Sequence, residues 1–387
     1  MALNTLSPLD PEISREIRVF DPARQEEVER KHRLLAEYLN LKGFDALLIQ
    51  SPAMFAWLAG GACNQRGSAT PFAAILLTAE ARVILTSQVD SPQLFDRELN
   101  GLGFHLKERP WTEAPLTLRD DCVRGRKIAS DLCYPGTTCV AEELVDFRLS
   151  LIERERDLLR DLGRKVAHAV EATARGLQQG ETEFEVAGQL MHRLYRHGVT
   201  PVQVQVKADG QGHRYRNWTA GPDRIERQCV LAAVGRLQGL HAAASRTIVF
   251  GSATSETQDT FDVATLLQTT GMHFSQAGWS VEETWKRVAR IYEKFGVTDE
   301  WRAAEQAEFI GYAPQEERFL PTLKRSLPSW SAIHWHPSVR AALVSDTVLV
   351  QPDRVEVVTR HENWPSVCVR VRGVPYDRPA MLVREIG

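Results

Sequence analysis

Hydrophobic positions along the chain change period several times. From Ala23 to Lys42, Val28, Leu34, Leu35, Tyr38 and Leu39 share one helical face, and Gly43 ends the pattern. Residues 45–50 (DALLIQ), 71–78 (PFAAILLT), 82–86 (RVILT) and 127–131 (KIASD) are short apolar runs that read as strands, with a short helix over Met54 to Ala59. Alternation of helix and strand predicts an α/β domain over residues 23–148, preceded by an extended arm (1–22) carrying Pro8, Pro11 and Pro22. A long helix begins near Phe147 to Leu151, with Leu158, Leu159, Leu162, Val166, Ala169, Val170, Thr173 and Leu177 as its stripe. Thr182 and Glu185 then form a capping box for a helix whose inward face is Phe184, Ala187, Leu190, Met191 and Leu194. Cys229 to Gly251 predicts a hairpin: a buried VLAAV run, a bend from Gly235 to Gly239, and a return strand Arg246–Phe250. Two more helices are expected at 256–270 and 281–295, the second capped by Ser280 and Glu283. The second domain runs over 149–387.

Composition narrows the function classes. A chain of 387 residues is long enough for two sizeable cores. Its net charge of −3, with interspersed signs, gives no basic footprint for nucleic acid and no polybasic face for a membrane. No apolar run approaches the ~18–20 residues of a membrane helix, and the N-terminus lacks an apolar signal-peptide core, so a cytoplasmic protein is expected. Six scattered cysteines show no metal-ligand spacing; Cys133 and Cys139 are the closest pair, and idle thiols are expected.

The hairpin resembles the central hairpin of the pita-bread metallopeptidases, the M24 family of methionine aminopeptidase, aminopeptidase P, prolidase and creatinase. In their metal-binding members this hairpin carries two aspartate ligands. Here the second falls on Ala243 and the first on Ala232 or Val234, and no Asp or Glu occurs from Arg227 to Ser255. Residues 310–314 (IGYAP) sit where the family has G-H-G-I-G, which places its metal histidine at Glu308. Residues 332–338 (AIHWHPS) put His336 at a ligand glutamate, and 345–350 (SDTVLV) put Ser345 in place of the last glutamate. The resemblance spans about residues 25–370. It implies an α/β creatinase-like N-terminal domain followed by an α+β pita-bread domain, in a divergent branch that has lost the family's metal ligands. It also implies a homodimer in which Trp57 to Arg66 edge the partner's cavity. With all five ligand positions changed, two-metal water activation is excluded and no cofactor is expected.

His334 and His336 lie two apart on a predicted strand and so share a face. Two imidazoles can act as an acid–base pair, and with Glu308 they also make a donor set suited to one zinc or iron. His241, at the hairpin turn, is a further catalytic candidate. The loop before the hairpin (213–218, HRYRNW) matches a region that contacts substrate in the resembled enzymes; the family histidine there is displaced to His213 or lost. His213, Tyr215, Arg216, Tyr312 and Arg246 are the substrate-binding candidates, Arg216 as a carboxylate clamp. These readings converge on a metal-independent, creatinase-like enzyme that cleaves a C–N bond of a small polar amino-acid-like metabolite by hydrolysis or elimination. Two alternatives stand beside it: an inactive pseudo-peptidase that binds a ligand or partner, and a mononuclear metal hydrolase using His334, His336 and Glu308.

Overall fold

A computed structural model describes residues 20–67, 70–113, 117–210 and 215–385. Most of the expected N-terminal arm, His213 and Arg214 lie outside the described residues. The chain divides into two compact units, Met1–Asp146 and Phe147–Gly387.

The first unit opens with helix α1 (Pro22–Lys42), which starts and stops on local chemistry. The Asp21 carboxylate accepts the Ala23 and Arg24 N–H groups, Pro22 fills the first turn, and Gly43 takes the left-handed conformation at φ 66°. Strands β1 (Ala46–Ile49), β2 (Ala74–Leu77), β3 (Arg82–Ser87), β4 (His105–Arg109), β5 (Ile128–Ser130) and β6 (Thr138–Cys139) form one sheet in the order β4-β3-β2-β1-β5-β6. Its core includes Leu48, Leu76, Leu85 and Ile128. Trp57, at the start of the segment expected to edge a partner, is buried. The expectation of idle thiols also fails for Cys133 and Cys139. A turn through Gly136 (φ 78°) brings their Cα atoms to 4.5 Å, and they are disulfide-bonded.

In the second unit, helix α2 (Glu153–Gly176) buries Leu159, Leu162, Val166, Ala169 and Val170, as its stripe predicts. Helix α3 (Glu183–Arg196) has the expected Thr182–Glu185 capping box, but its inward face differs. Phe184 and Met191 are exposed; Val186, Ala187, Leu190 and Leu194 are buried, together with Glu183. Glu183 holds that position because three donors satisfy it: the Ala208 N–H, the Trp218 indole and the Gly221 N–H. Helices α4 (Ser255–Phe274) and α5 (Val281–Lys294) follow the hairpin.

A nine-stranded sheet forms this unit's centre. Strands β7 (Thr200–Ala208), β8 (Gln228–Leu237), β9 (Leu240–Phe250), β10 (Ala307–Ile310), β11 (Glu317–Arg318), β12 (Ala332–Trp335) and, after a small separate pair β13 (Ser338–Val339) and β14 (Ala342–Leu343), β15 (Asp346–Val350) run in the order β11-β10-β12-β15-β9-β8-β7. Val355–Val357 beside β15 and Leu382–Arg384 beside β9 complete the nine. The β8–β9 hairpin is longer than expected and its turn is tighter. Gly235 lies within β8 opposite Ala242, and the bend is Gln238-Gly239, with φ of 46° and 82°. Gly235 serves close packing: a Cβ there would lie 2.8 Å from Val166 of α2 and 2.5 Å from Val199.

Candidate active site

Strand register assembles the site. Antiparallel pairing of β10 and β12 sets Glu308 directly opposite His334, and pairing of β12 with β15 sets His334 opposite Thr347, two residues beyond Ser345. Side chains two apart on a strand share a face, so Glu308, His334 and Ser345 converge from three consecutive strands. His336 follows the end of β12 and stacks on His334, with ring centroids 4.4 Å apart.

The resulting hydrogen bonds are short and mutually consistent. Glu308 Oε1 lies 2.6 Å from His334 Nδ1, and Oε2 lies 2.7 Å from His336 Nε2. An ionised carboxylate only accepts, so each of these ring nitrogens carries a proton and donates. The remaining nitrogens then accept. His334 Nε2 faces the Ser345 hydroxyl at 2.6 Å, and His336 Nδ1 receives an N–H from Arg216 at 3.1 Å. Burial alone would raise the Glu308 pKa; electrostatic interaction with the His336 and His334 rings, and the hydrogen bonds they donate, overcome it and hold the carboxyl well below its usual range. Burial lowers the His336 pKa, with Glu308 only partly opposing it, so this imidazole is neutral at pH 7. Arg216 is lowered to about 10, again chiefly by burial, and remains charged. Its Nη1 is buried and has no hydrogen-bond partner among the described residues.

These groups face a cavity of about 320 Å³. One wall is polar, with Glu308, His334, His336, Ser345 and Arg216; Gln203 and Gln205 add amides, while Ala232, Val234 and Ala243 line the hairpin side. Of the candidates named from sequence, Glu308, His334, His336 and Arg216 thus meet in one place. Tyr215 is exposed and packs on Trp218 outside the cavity lining.

His241, Tyr312 and Arg246 are corrections. His241 is buried with Nδ1 3.0 Å from the Gly311 carbonyl, away from the cavity. The Tyr312 hydroxyl donates to Glu155 at 2.7 Å. Arg246, odd-numbered steps from Ala243, faces the other side of the sheet and pairs with Glu171 and Asp346. Ser345, read from sequence only as a substituted ligand, was missed as a partner of His334. The alternation of β15 carried that signal once its register against β12 was known.

Donor chemistry decides which metals fit. On the hairpin wall, alanine and valine offer no ligand atoms, so a dinuclear centre does not fit these residues. The three residues read from the sequence as a donor set for one ion do come together, however. One atom from each of Glu308, His334 and His336 lies within 4.8 Å of the others, a group able to hold a single ion.

Residues 157–323 match the family model described as metallopeptidase family M24. A search of curated proteins finds no match. Among solved structures, the prolidase from Pyrococcus horikoshii OT3 is similar at TM-score 0.75 and 18% identity, over 86% of this chain and 99% of that one. The dipeptidase PepE from Mycobacterium ulcerans is similar at TM-score 0.76 and 15% identity, over 95% and 100%. The N-terminal domain of the FACT complex subunit SPT16 from chickpea, Cicer arietinum, is similar at TM-score 0.68 and 12% identity, over 87% and 95%. The fold is therefore the two-domain pita-bread fold of the prolidase and aminopeptidase P structures. Among the described residues, no helix is long and apolar enough to cross a membrane.

Proposed function

We propose that the cavity is the active site of a metal-independent enzyme that breaks a C–N bond in a small, carboxylate-bearing, amino-acid-like metabolite. The observation that carries this reading is the single carboxylate, Glu308, hydrogen-bonded to both His334 and His336 on a cavity wall. Such a group fixes the tautomer of each imidazole, which leaves one lone pair per ring directed away from the carboxylate. The charged, half-buried Arg216, whose buried Nη1 has no partner among the described residues, supplies a donor for the substrate carboxylate. Glu308, by holding both rings, is the positioning group of the site. A homodimer belongs to the same proposal.

The second reading, a mononuclear metal hydrolase, is favoured by the clustering of the same three donors. A chelator-treated sample, screened against small N-acyl, N-carbamoyl and guanidino acids, separates them. The acid–base reading expects turnover that survives chelation and falls by about 10²-fold or more in Glu308→Gln. Turnover that requires one equivalent of bound metal assigns the site to the metal reading. Absence of both turnover and ligand-induced thermal shift leaves a scaffold.

A further inference from the structure

We propose that Ser345 is a covalent nucleophile, activated by His334 and oriented through it by Glu308, and that the substrate class is therefore an amide or carbamoyl C–N bond cleaved by acyl transfer. This deepens the reading above and rests on the cavity being catalytic. Its starting point is a question of proton access. His336 has one nitrogen on Glu308 and the other on Arg216. His334 has one nitrogen on Glu308, and its remaining lone pair meets the Ser345 hydroxyl. The proton that His334 is placed to take is thus the serine's.

The three groups stand in line. Glu308 Oε1 to His334 Nδ1 is 2.6 Å, and His334 Nε2 to Ser345 Oγ is 2.6 Å. A carboxylate fixing one imidazole nitrogen as a donor, with the opposite nitrogen accepting from a hydroxyl, is the arrangement that makes an alcohol nucleophilic at neutral pH. Each member sits at or beside a strand of one sheet, which holds the constellation without relying on a loop. Ser345 is anchored further, since its carbonyl accepts the Ser245 N–H of β9 at 2.9 Å. His336 braces the second carboxylate oxygen.

A serine hydroxyl also serves as an ordinary partner for a buried histidine, so the surroundings matter. Ser245, on the neighbouring strand, shows the structural use: its hydroxyl donates to the Leu343 carbonyl. The Ser345 side chain instead borders the cavity, and so does Arg216 with its unpartnered Nη1. A charged guanidinium bordering the same cavity suits either a substrate carboxylate or the oxyanion formed on attack.

The chemistry balances without a further reagent. Ser345 Oγ adds to the carbonyl carbon while its proton passes to His334 Nε2. As the C–N bond breaks, His334 returns that proton to the leaving nitrogen, and the acyl group remains as an ester on Ser345. Water then adds to the ester carbon and gives a proton to His334. The acid departs as that proton returns to Ser345 Oγ, so the net reaction is amide plus water to acid plus amine. Elimination at the C–N bond has no use for this relay.

Methanesulfonyl fluoride, small enough for the cavity, tests the nucleophile without knowledge of the substrate. The full-length protein is incubated with it and followed by intact mass and peptide mapping. We expect one sulfonyl adduct on Ser345, none there in Ser345→Ala, and modification slowed by about 10²-fold in His334→Gln. Circular dichroism confirms that each variant is folded, and Ser345→Cys, tested with methyl methanethiosulfonate, gives a second route if Ser345→Ala does not fold. An unmodified Ser345 in folded wild type, or equal modification in His334→Gln, overturns the proposal. If turnover is lost in Glu308→Gln yet kept in Ser345→Ala, the nucleophile falls while the acid–base reading stands. If Ser345 is modified through His334 but no amide or carbamoyl acid is turned over, the nucleophile stands and the substrate class falls.

Discussion

Replacing Asp346 by asparagine should destabilise the second unit more than any comparable polar substitution on its surface. Behind the site, four ionised groups are buried together: Glu171, Arg246, Asp346 and Arg378 are each at most 2% exposed. Two charges of each sign leave the cluster neutral. Asp346 Oδ1 accepts from Arg246 at 3.1 Å and from the Thr359 hydroxyl at 2.9 Å, while Oδ2 accepts from Arg378. Asparagine keeps the shape and leaves one positive charge uncompensated. Arg246 retains Glu171 at 2.9 Å, so the loss falls on Arg378, whose remaining partner is the Gln268 side-chain oxygen at 2.9 Å. Burial already lowers the Arg378 pKa, with Asp346 as the principal opposing charge. Removing one partner from a buried pair costs ~3–5 kcal/mol. With m near ~3 kcal/mol/M in urea, the midpoint should fall by about 1–1.7 M. Tryptophan fluorescence reads this unit, which holds most of the chain's tryptophans. Arg378→Gln alone should be similarly costly, and the double variant, neutral again, should recover much of the loss. A fall below about 1 kcal/mol for Asp346→Asn, or strictly additive effects in the cycle, would refute this account.

Two further outcomes follow from groups outside the cavity. Burial lowers the His241 pKa from 6.5 to about 4, against which the Gly311 hydrogen bond acts only partly. The unfolded chain therefore binds the extra proton between those values, so stability is intact above pH 6.5 and lost as pH falls towards 4, by up to about 3 kcal/mol; urea midpoints across this window should decline less steeply in His241→Asn, and equal slopes would rule this out. Gly235→Ala places a methyl 2.5 Å from Val199 and 2.8 Å from Val166, an overpacking that should cost ~1–3 kcal/mol and lower the melting temperature; an unchanged melt would show that α2 gives way freely.

What was legible in the sequence follows from which interactions are local. The α2 stripe and the Thr182 cap are set within a few residues, and both appear where the pattern puts them. The inward face of α3 was misread because Phe184 and Met191 satisfy helical spacing, whereas the buried position belongs to Glu183, whose donors come from 25 or more residues away. The hairpin turn was misplaced for a different reason. Gln238 adopts a left-handed φ of 46°, uncommon for its type, while Gly235 attracted the assignment although its role is packing. His334 and His336 were legible as a pair from period two alone. Glu308 was connected to them through resemblance, and only the β10–β12 register makes that connection physical. Arg246 shows the reverse: it was named as a substrate-binding candidate, while strand parity turned it to the far side.

The division of the cavity walls constrains any reading of the site. The β8–β9 hairpin presents Ala232, Val234 and Ala243 to the cavity, while Glu308, His334, His336 and Ser345 supply its polar lining from the other strands. Such a polar lining is costly unless it is satisfied, because each polar group buried without a partner costs roughly 2–7 kcal/mol. The polar wall avoids that cost through one connected network, running from Ser345 through His334, Glu308 and His336 to Arg216. Only the last member keeps a buried donor without a partner among the described residues. An anionic ligand would satisfy that donor, and its uncharged part would rest against the alanines and valine facing it. In the proposed enzyme, then, Arg216 sets which end of the substrate enters that side of the cavity. Arg216→Lys, which keeps charge but loses the guanidinium fork, should accordingly weaken binding of carboxylate-bearing ligands far more than that of their amides.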